Sequence, residues 1–328
     1  MTEKIRWGVL GTADIARGCF IPGLQLADNA ELYAIAGRSL EKAKNFQKEF
    51  GFEKAYGSYD ELLNDSLVDA VYVPLPNHLH AEWAIKAMKK GKHVMCEKPL
   101  ALSREQAKEM FDCARENGVI LMEAFAYLHS PFTQALKNEL TGGTIGEVRY
   151  MENAFIVQEC LPDNIRLTKE WGGGSMYDLG VYCTSQMLYL LEDTPVKVRG
   201  CAEFDRGGID LLTSGQLEFK NGARGCFDCG MILPRSEEQC VARVQIHGTK
   251  GSIKANLAYF NQCGKMEYTV TVNDQSIIKT VDVPHNYSLE AQQMGRCILA
   301  GEAPHVTEDF SLQVADVTDR MLSAIGFQ

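Results

Sequence analysis

The fold of this chain is decided near its start, where the residues read Gly8-Val9-Leu10-Gly11-Thr12-Ala13-Asp14-Ile15-Ala16. The apolar run over residues 5–10 predicts a strand, and residues 14–25 predict a helix. The turn between them is a G-x-A-x-x-A form of the dinucleotide fingerprint, with Gly11 for the tight turn, Ala13 for close approach of a pyrophosphate and Ala16 for helix–strand packing. A plain turn between strand and helix is the alternative interpretation.

The first 123 residues alternate short apolar runs with amphipathic ones, a pattern that predicts βαβ units and a parallel sheet. The predicted strands are residues 5–10, 32–36, 70–73, 93–96 and 119–123, and the predicted helices are residues 14–25, 40–50, 80–89 and 103–117. We therefore expect an α/β chain in which residues 1–123 form an N-terminal Rossmann domain that binds a dinucleotide.

From residue 124 onward the pattern is rich in β-strands. Helices are predicted over residues 129–140, 176–191, 288–300 and 308–325, and strands over residues 148–157, 196–203, 211–219, 223–231, 241–247, 252–256, 266–272 and 277–283. Asn221-Gly222 predicts a hairpin with a type I′ turn, and residues 248–251 predict a second turn. Residues 124–328 are therefore expected to form a C-terminal α/β domain on a large, mostly antiparallel open sheet.

Composition excludes several classes of protein. The 328 residues carry a net charge of -10 with both signs mixed along the chain, which argues against a nucleic-acid surface. No apolar run approaches the roughly 20 residues of a membrane helix, and the start of the chain has no signal-peptide pattern. The eleven cysteines are scattered, as in a reducing cytoplasm. Cys226 and Cys229 would point to opposite faces of a strand, so we predict no metal site.

The end of the second predicted strand indicates which nicotinamide cofactor the chain prefers. An NAD site usually offers a carboxylate at this point, whereas this chain has Arg38 and Ser39, followed by Lys42. A guanidinium and a hydroxyl suit a 2′-phosphate, so we predict NADP, with NAD as the alternative. The competing interpretation is an exposed arginine beside a serine that only caps the next helix.

Later strand ends supply further candidate contacts, since ligands of open α/β sheets gather at the carboxyl ends of the strands. His80 would either touch the cofactor or be solvated, and Glu97 would either contact a ribose or cap locally. The predicted cofactor-binding residues are Gly11, Thr12, Ala13, Asp14, Ile15, Arg38, Ser39, Lys42, Pro74, Leu75, Pro76, Asn77, His80, Glu97 and Lys98.

Three segments carry a resemblance over nearly the whole chain: Val73-Pro74-Leu75-Pro76-Asn77-His78-Leu79-His80, Cys96-Glu97-Lys98-Pro99-Leu100-Ala101, and Gly172-Gly173-Gly174-Ser175-Met176-Tyr177-Asp178-Leu179-Gly180-Val181-Tyr182. They resemble the glucose-fructose oxidoreductase / inositol dehydrogenase / MocA family, and within it the dimeric dihydrodiol dehydrogenases and NADP-dependent xylose dehydrogenases. The resemblance implies homodimerisation through the C-terminal sheet and a cis Lys98–Pro99 bond. Tyr182 stands where the inositol dehydrogenases have a histidine.

A lysine, an aspartate and a tyrosine beside a hydride cofactor indicate carbonyl/alcohol redox catalysis, with Lys98, Asp178 and Tyr182 as the catalytic residues. Reducing a carbonyl requires a hydride on carbon and a proton on oxygen, and the phenol of Tyr182, with an ordinary pKa of ~10, can donate that proton. The Lys98 ammonium would stabilise the phenolate, and Asp178 lies one helical turn before Tyr182. Taken singly, a packed tyrosine, a capping aspartate and a solvated lysine are the alternatives. Further residues expected to face substrate are Tyr127, Arg166 and Trp171.

The predicted function is an NADP-dependent dehydrogenase or reductase acting on CH–OH groups of a small sugar, polyol or dihydrodiol. Two alternatives belong to other classes. The first is an NAD-dependent glycosidase of the same family, which recycles a tightly held cofactor. The second is a non-catalytic NADP-binding sensor or scaffold, which would have no need to retain Lys98, Asp178 and Tyr182.

Overall fold

The computed structural model describes residues 4–235, 240–256 and 263–327. The chain divides into two compact units. The first unit comprises Met1–Ala101, Glu105–His129 and Pro284–Ser311, and the second comprises Leu102–Arg104, Ser130–Val283 and Leu312–Gln328. The sequence-based division at residue 123 did not anticipate that Pro284–Ser311 returns to the first unit.

The first unit contains a parallel sheet. Its strands are β1 (Ile5–Leu10), β2 (Ala30–Ala36), β3 (Lys54–Tyr56), β4 (Ala70–Val73), β5 (His93–Glu97) and β6 (Leu121–Ala124). They lie in the order β3-β2-β1-β4-β5-β6, and all neighbouring strands are parallel. This order confirms the predicted Rossmann topology, in which the strand order reverses between β1 and β4.

The second unit contains an eight-stranded sheet. Its strands are β7 (Val148–Gln158), β8 (Pro195–Phe204), β9 (Asp210–Phe219), β10 (Arg224–Leu233), β11 (Cys240–Gly248), β12 (Gly251–Asn256), β13 (Gly264–Val272) and β14 (Gln275–Val283). The order is β14-β13-β12-β11-β7-β10-β9-β8. Neighbouring strands are antiparallel except for β7 and β10, which are parallel. The predicted mostly antiparallel sheet is thus confirmed.

The helices complete the two units. Their bounds are α1 (Ile21–Leu26), α2 (Leu40–Phe50), α3 (Tyr59–Leu63), α4 (His80–Lys89), α5 (Arg104–Glu116), α6 (Pro131–Thr141), α7 (Val181–Leu191), α8 (Asn286–Ala300) and α9 (Glu308–Ile325). Two of them are preceded by π-helical turns, Ala16–Phe20 before α1 and Met176–Gly180 before α7. Such turns are rare and are frequent at functional sites.

The strand reversal places two loops side by side in the first unit. Ala70–Val73 is buried throughout, because a parallel strand covered on both faces meets no water. The loop after β4 contacts the loop after β1: a Cβ atom built on Gly11 would lie 3.1 Å from Leu75 Cδ2. Ligands of open α/β sheets bind at this point, so the first unit offers its site between these two loops.

One predicted turn is present with a different geometry. The hairpin between β9 and β10 exists, but of Asn221 and Gly222 only Gly222 has a positive φ, +88°. The Gly222 N–H bonds Phe219 O at 3.0 Å, which makes a type I turn followed by a left-handed glycine, so the type I′ prediction was wrong. A turn with two left-handed residues occurs instead at Asn273 (φ 51°) and Asp274 (φ 61°), between β13 and β14.

Candidate active site

The turn after β1 has the conformation that a phosphate-binding loop requires. Gly11 adopts a φ of +119°, which is readily available only to glycine. Thr12 and Ala13 are half-buried and Asp14 is exposed, whereas Ala16 is fully buried. The chain is helical from Asp14, so accessible backbone N–H groups lie at a helix start while the small Ala16 packs inside.

The end of β2 leads to an exposed arginine and a capping serine. Arg38 is exposed, and within the described residues it makes no ion pair. Ser39 is the N-cap of α2, and its Oγ accepts a hydrogen bond from Lys42 N at 3.4 Å. The capping role considered for Ser39 is therefore present. It does not exclude a ligand, because a hydroxyl that accepts one bond still has its own proton to donate.

His80 does not have the solvated surroundings that one interpretation of the sequence predicts. It is fully buried, with Nδ1 2.8 Å from Pro99 O and Nε2 2.7 Å from Leu75 O. Burial lowers the pKa of His80 to about 4, because the charged ring would lose its hydration. Both ring nitrogens face protein carbonyls, which excludes the solvated alternative and favours a structural role, so a cofactor contact for His80 stays a prediction. His80 links the loop after β4 to the loop after β5.

The end of β5 presents one accessible side chain. From Val94 to Ala101 every residue is buried except Lys98, which is half-buried, and the Lys98–Pro99 bond is cis, as the resemblance implied. Burial raises the pKa of Glu123 to about 7, and the positive charge of Lys98 opposes that rise. Lys98 therefore combines a hydrophobic base with a cationic tip at the carboxyl edge of the sheet.

Glu97, the neighbour of Lys98 in the chain, belongs to a group of buried acidic residues whose other members gave no sequence signal. The Tyr72 hydroxyl donates to Glu97 Oε1, and the Lys98 N–H donates to Glu97 Oε2 at 3.2 Å. Burial raises the pKa of Tyr72 well above its ordinary value, and the same cause acts on the fully buried Glu290 of α8, with Glu97 adding to it. Glu97 is thus bonded within the protein, so a ribose contact for this residue stays a prediction. Tyr72 lies in an apolar strand and gave no sequence signal.

In the second unit, one long segment is buried except at two positions. From Gly172 to Leu188 every residue is buried apart from Asp178 and Tyr182, which are half-buried. The two side chains are four residues apart along a continuous helical stretch and so lie on the same face, one turn apart. The Tyr182 ring packs edge-on against Phe155, with ring centroids 5.5 Å apart. The helix therefore presents one carboxylate and one phenol from an otherwise apolar surface.

Arg166 is bound to Asp178 rather than free for a ligand. Its Nε donates to Asp178 Oδ2 at 2.5 Å, and the carboxylate raises the pKa of the guanidinium. The Arg166 side chain is 45% exposed, whereas that of Asp178 is 15% exposed. The positive charge of Arg166 is therefore largely compensated, and its main structural effect is to orient the carboxylate of Asp178.

The remaining substrate predictions have different surroundings. Trp171 is 42% exposed and ends a 3₁₀ turn, and Leu161 and Ile165 are exposed in the same loop. Tyr127, by contrast, is only 2% exposed and packs edge-on against Phe125, which favours a packing role over the predicted substrate contact. A substrate role for Trp171 stays a prediction.

Potential metal ligands were compared within the part of the chain that the structure describes. Across residues 4–235, 240–256 and 263–327, no group of three or more potential ligands is arranged to hold a metal ion. Cys226 and Cys229 are free thiols, the first half-buried and the second buried. Within the described ranges there is also no helix with the length and apolar character to cross a bilayer.

The two units define the class of protein by their folds: a Rossmann domain and a second, sheet-based domain. Residues 5–125 match the oxidoreductase family with an NAD-binding Rossmann fold, and residues 133–254 match the GFO/IDH/MocA C-terminal domain. The chain belongs to the GFO/IDH/MocA oxidoreductase family.

Relatives with assigned activities match nearly the full length of the chain. The chain is 35% identical to a D-xylose 1-dehydrogenase (NADP(+)) from Haloferax volcanii, covering 95% of each protein. It is 30% identical to a trans-1,2-dihydrobenzene-1,2-diol dehydrogenase from Xenopus tropicalis, covering 98% of each. The structure of a 3-ketoreductase from Actinomadura kijaniata in complex with NADP and TDP-benzene superposes with a TM-score of 0.92, at 30% identity and 98% coverage of each chain.

Proposed function

We propose that this chain is an NADP-dependent oxidoreductase that transfers a hydride between the nicotinamide and a carbonyl or alcohol carbon of a small sugar, polyol or dihydrodiol. One observation carries the proposal: in the segment from Gly172 to Leu188, only Asp178 and Tyr182 escape burial. Packing alone does not require an accessible carboxylate and phenol one turn apart, whereas proton transfer does. In the first unit, Lys98 is likewise the one half-buried residue in the otherwise buried segment 94–101.

The residues of the first unit fit an NADP molecule. The left-handed Gly11 and the accessible Thr12 and Ala13 suit a pyrophosphate, and the exposed Arg38 with the hydroxyl of Ser39 suits a 2′-phosphate. Both the xylose dehydrogenase and the 3-ketoreductase named above use or bind NADP, which supports the assignment. When bound, the nicotinamide supplies the hydride for reduction of a carbonyl and accepts it in the reverse direction.

We assign proton transfer to Tyr182. A phenol with a pKa of ~10 is a usable acid at neutral pH but a poor base unless a neighbouring cation stabilises the phenolate. Lys98 supplies such a cation, and it also polarises the substrate oxygen on which negative charge develops. The proposal requires both groups to act on the same oxygen atom. In the reverse direction Tyr182 accepts the alcohol proton.

Asp178 is assigned to substrate hydroxyl groups. Its carboxylate accepts hydrogen bonds and is held by Arg166 through a contact of 2.5 Å. Because Arg166 is already compensated by Asp178, the pair offers little net charge to a substrate. A neutral polyhydroxy compound therefore suits this site better than an acidic one. The exposed ring of Trp171 would form an apolar wall for the face of a sugar ring or an aromatic diol.

Homodimerisation through the second sheet is also proposed. One face of the sheet is covered by α7, since a Cβ atom on Gly225 would lie 2.6 Å from Met187 Sδ. The opposite face carries a groove of about 390 Å³ lined by both charge signs, including Arg199, Glu152 and Asp228. A two-fold interface brings the same patch of two copies together, so mixed charges can pair across it. Sedimentation velocity is expected to give a dimer that Arg199→Glu weakens; a monomeric wild type would contradict this part of the proposal.

The experiment that tests the proposed function is a screen by nicotinamide absorbance. Aldoses, inositols, dihydrodiols and ketoses are supplied with NADP⁺ or NADPH, so that both directions are measured. At least one substrate is expected to give steady turnover in the wild type, and Tyr182→Phe is expected to lower kcat by ~10²-fold or more, the scale of a lost acid/base group. NADPH binding to this variant should stay near normal.

The matched control is Tyr189→Phe. Tyr189 lies on the same helix, is half-buried and donates to Gln134 Oε1 at 3.2 Å, so its substitution also removes one phenol hydroxyl. Its kcat should remain close to that of the wild type. Wild-type turnover in Tyr182→Phe would remove the assignment of the proton donor, and the absence of turnover with every substrate class would refute the redox function.

A further inference from the structure

Asp210 is a buried carboxylate that the proposed chemistry does not use. It is the first residue of β9, and its side chain has no exposure to solvent. A carboxylate in such a place is costly unless several donors satisfy it. Burial raises the pKa of Asp210, while hydrogen bonds from neighbouring residues act in the opposite direction.

The donors to Asp210 come from the start of the helix that carries Asp178 and Tyr182. Asp210 Oδ2 accepts a bond from Ser175 Oγ at 2.7 Å and one from Met176 N at 2.7 Å. A third bond comes from Thr213 Oγ1 at 2.9 Å, within β9 itself. A single carboxylate oxygen thus joins the eight-stranded sheet of the second unit to the first turn of this helix.

This bond takes the place of an ordinary helix cap. Ser175 occupies the N-cap position of the π-helical turn Met176–Gly180, but its side chain makes no capping bond to the helix. The Ser175 hydroxyl points to Asp210, and Asp210 accepts the bond from the Met176 amide, one of the first N–H groups of a helix, which have no partner within the helix itself. Its negative charge also lies at the positive end of the helix dipole.

The preceding glycine leaves room for this carboxylate. Gly174 has a φ of +118°, and a Cβ atom built on it would lie 2.0 Å from Asp210 Oδ1. Any side chain at residue 174 would therefore displace the carboxylate or the backbone. The triple-glycine segment and Asp210 fit together as one arrangement, although 35 positions separate Ser175 from Asp210.

We propose that Asp210 is a positioning residue for catalysis: by holding the Met176 amide and the Ser175 hydroxyl, it sets the position of the helical turn from which Asp178 and Tyr182 project. This inference rests on the proposed function and adds to it. Asp210 does not touch the substrate. It acts through the backbone of residues 176–182, where a shift of the phenol by about 1 Å can cost up to ~10²-fold in rate.

The test compares Asp210→Asn with a control at another buried carboxylate of the same unit, Glu139→Gln. Glu139 lies in α6 of the same unit, is nearly buried, and accepts bonds from Tyr268 Oη and Thr144 Oγ1, both at 2.8 Å, and from the Lys279 ammonium. Both substitutions remove a buried charge that accepts several bonds, but only Asp210 contacts the start of the site helix. Ser175→Ala removes one of the three Asp210 bonds and serves as a milder variant if Asp210→Asn does not fold.

Two readouts are measured on folded protein. Asp210→Asn is expected to lower kcat about tenfold or more with an unchanged Kd for NADPH, and amide hydrogen exchange over residues 176–182 should become faster. Ser175→Ala should also lower kcat and speed amide hydrogen exchange over residues 176–182, each by a smaller factor. Glu139→Gln should lower the thermal midpoint while leaving kcat and this exchange at wild-type values.

The outcomes separate the inference from the function on which it rests. Wild-type kcat or wild-type exchange over residues 176–182 in a folded Asp210→Asn variant would overturn the positioning role. An equal loss of kcat in Glu139→Gln would overturn it too, because the effect would then be a general loss of structure. If the wild type turns over no substrate, the proposed function fails, whereas the exchange comparison still decides whether Asp210 holds the helix.

Discussion

Replacing Arg38 by alanine should weaken the preference of this chain for NADPH over NADH. Arg38 is exposed at the end of β2 and, within the described residues, makes no ion pair, so its guanidinium is available for a 2′-phosphate. A hydrogen bond to a charged group contributes about 1.5–3 kcal/mol. Since water screens an exposed residue, we take the lower end of this range, ~1.5 kcal/mol, which corresponds to roughly tenfold.

The assay is steady-state kcat/KM with NADPH and with NADH, using the same carbonyl substrate. Arg38→Ala should lower kcat/KM for NADPH by about tenfold, while the value for NADH, which has no 2′-phosphate, should stay within about twofold. Lys44→Ala is the control, because Lys44 is another exposed cation on α2. An equal loss with both cofactors, or no loss with NADPH, would refute the reasoning.

Three further predictions concern stability and the carboxylates. Burial raises the pKa of Glu123 to about 7 from 4.5, so the folded protein keeps this group neutral where the unfolded chain ionises it, and stability should fall as the pH rises from 4.5 to 7. In Glu123→Gln, the free energy of unfolding measured with denaturant should fall by up to ~3 kcal/mol less than in the wild type over this pH range. Parallel curves of unfolding free energy against pH for the two proteins would contradict this prediction. Arg166→Gln should lower kcat/KM about tenfold through loss of a charged bond to Asp178, while unchanged kcat/KM would show that the pair is dispensable. Asp274→Gly should raise the free energy of unfolding by about 0.5–1 kcal/mol, because relief of the left-handed φ of 61° (about 1–2 kcal/mol) exceeds the entropic cost of a glycine (about 0.4–1 kcal/mol). A lower thermal midpoint would be the contrary result.

The order of the elements in the first unit could be predicted because apolar runs such as residues 70–73 form strands that are buried on both faces. The short strand β3 and helix α3 were missed. Lys54–Tyr56 is only half-buried, and its three residues are too few to show the alternation of apolar and polar residues that indicates a strand. The return of Pro284–Ser311 to the first unit was missed as well, since tertiary contacts between distant segments leave no local pattern.

Of the candidate site, the accessible residues were easier to predict than the residues that support them. Lys98 and Tyr182 belong to motifs, whereas Asp210 shows its importance only through bonds to Ser175 and Met176, far earlier in the chain. The burial of His80 could not be predicted either, because its two carbonyl partners belong to different loops. The type I′ turn was predicted for Asn221-Gly222 from a dipeptide preference, which did not anticipate the hydrogen bonds that Asn221 makes to Asp193 and Ala223.

The most direct test of the central claim is a double-mutant cycle on kcat with Lys98→Met and Tyr182→Phe. Each single substitution should lower kcat by ~10²-fold or more. If both groups serve one substrate oxygen, the double variant should lose little more than either single variant, because residues that act as a unit are not additive. Losses that multiply to ~10⁴-fold, or near-wild-type turnover in either single variant, would contradict the account.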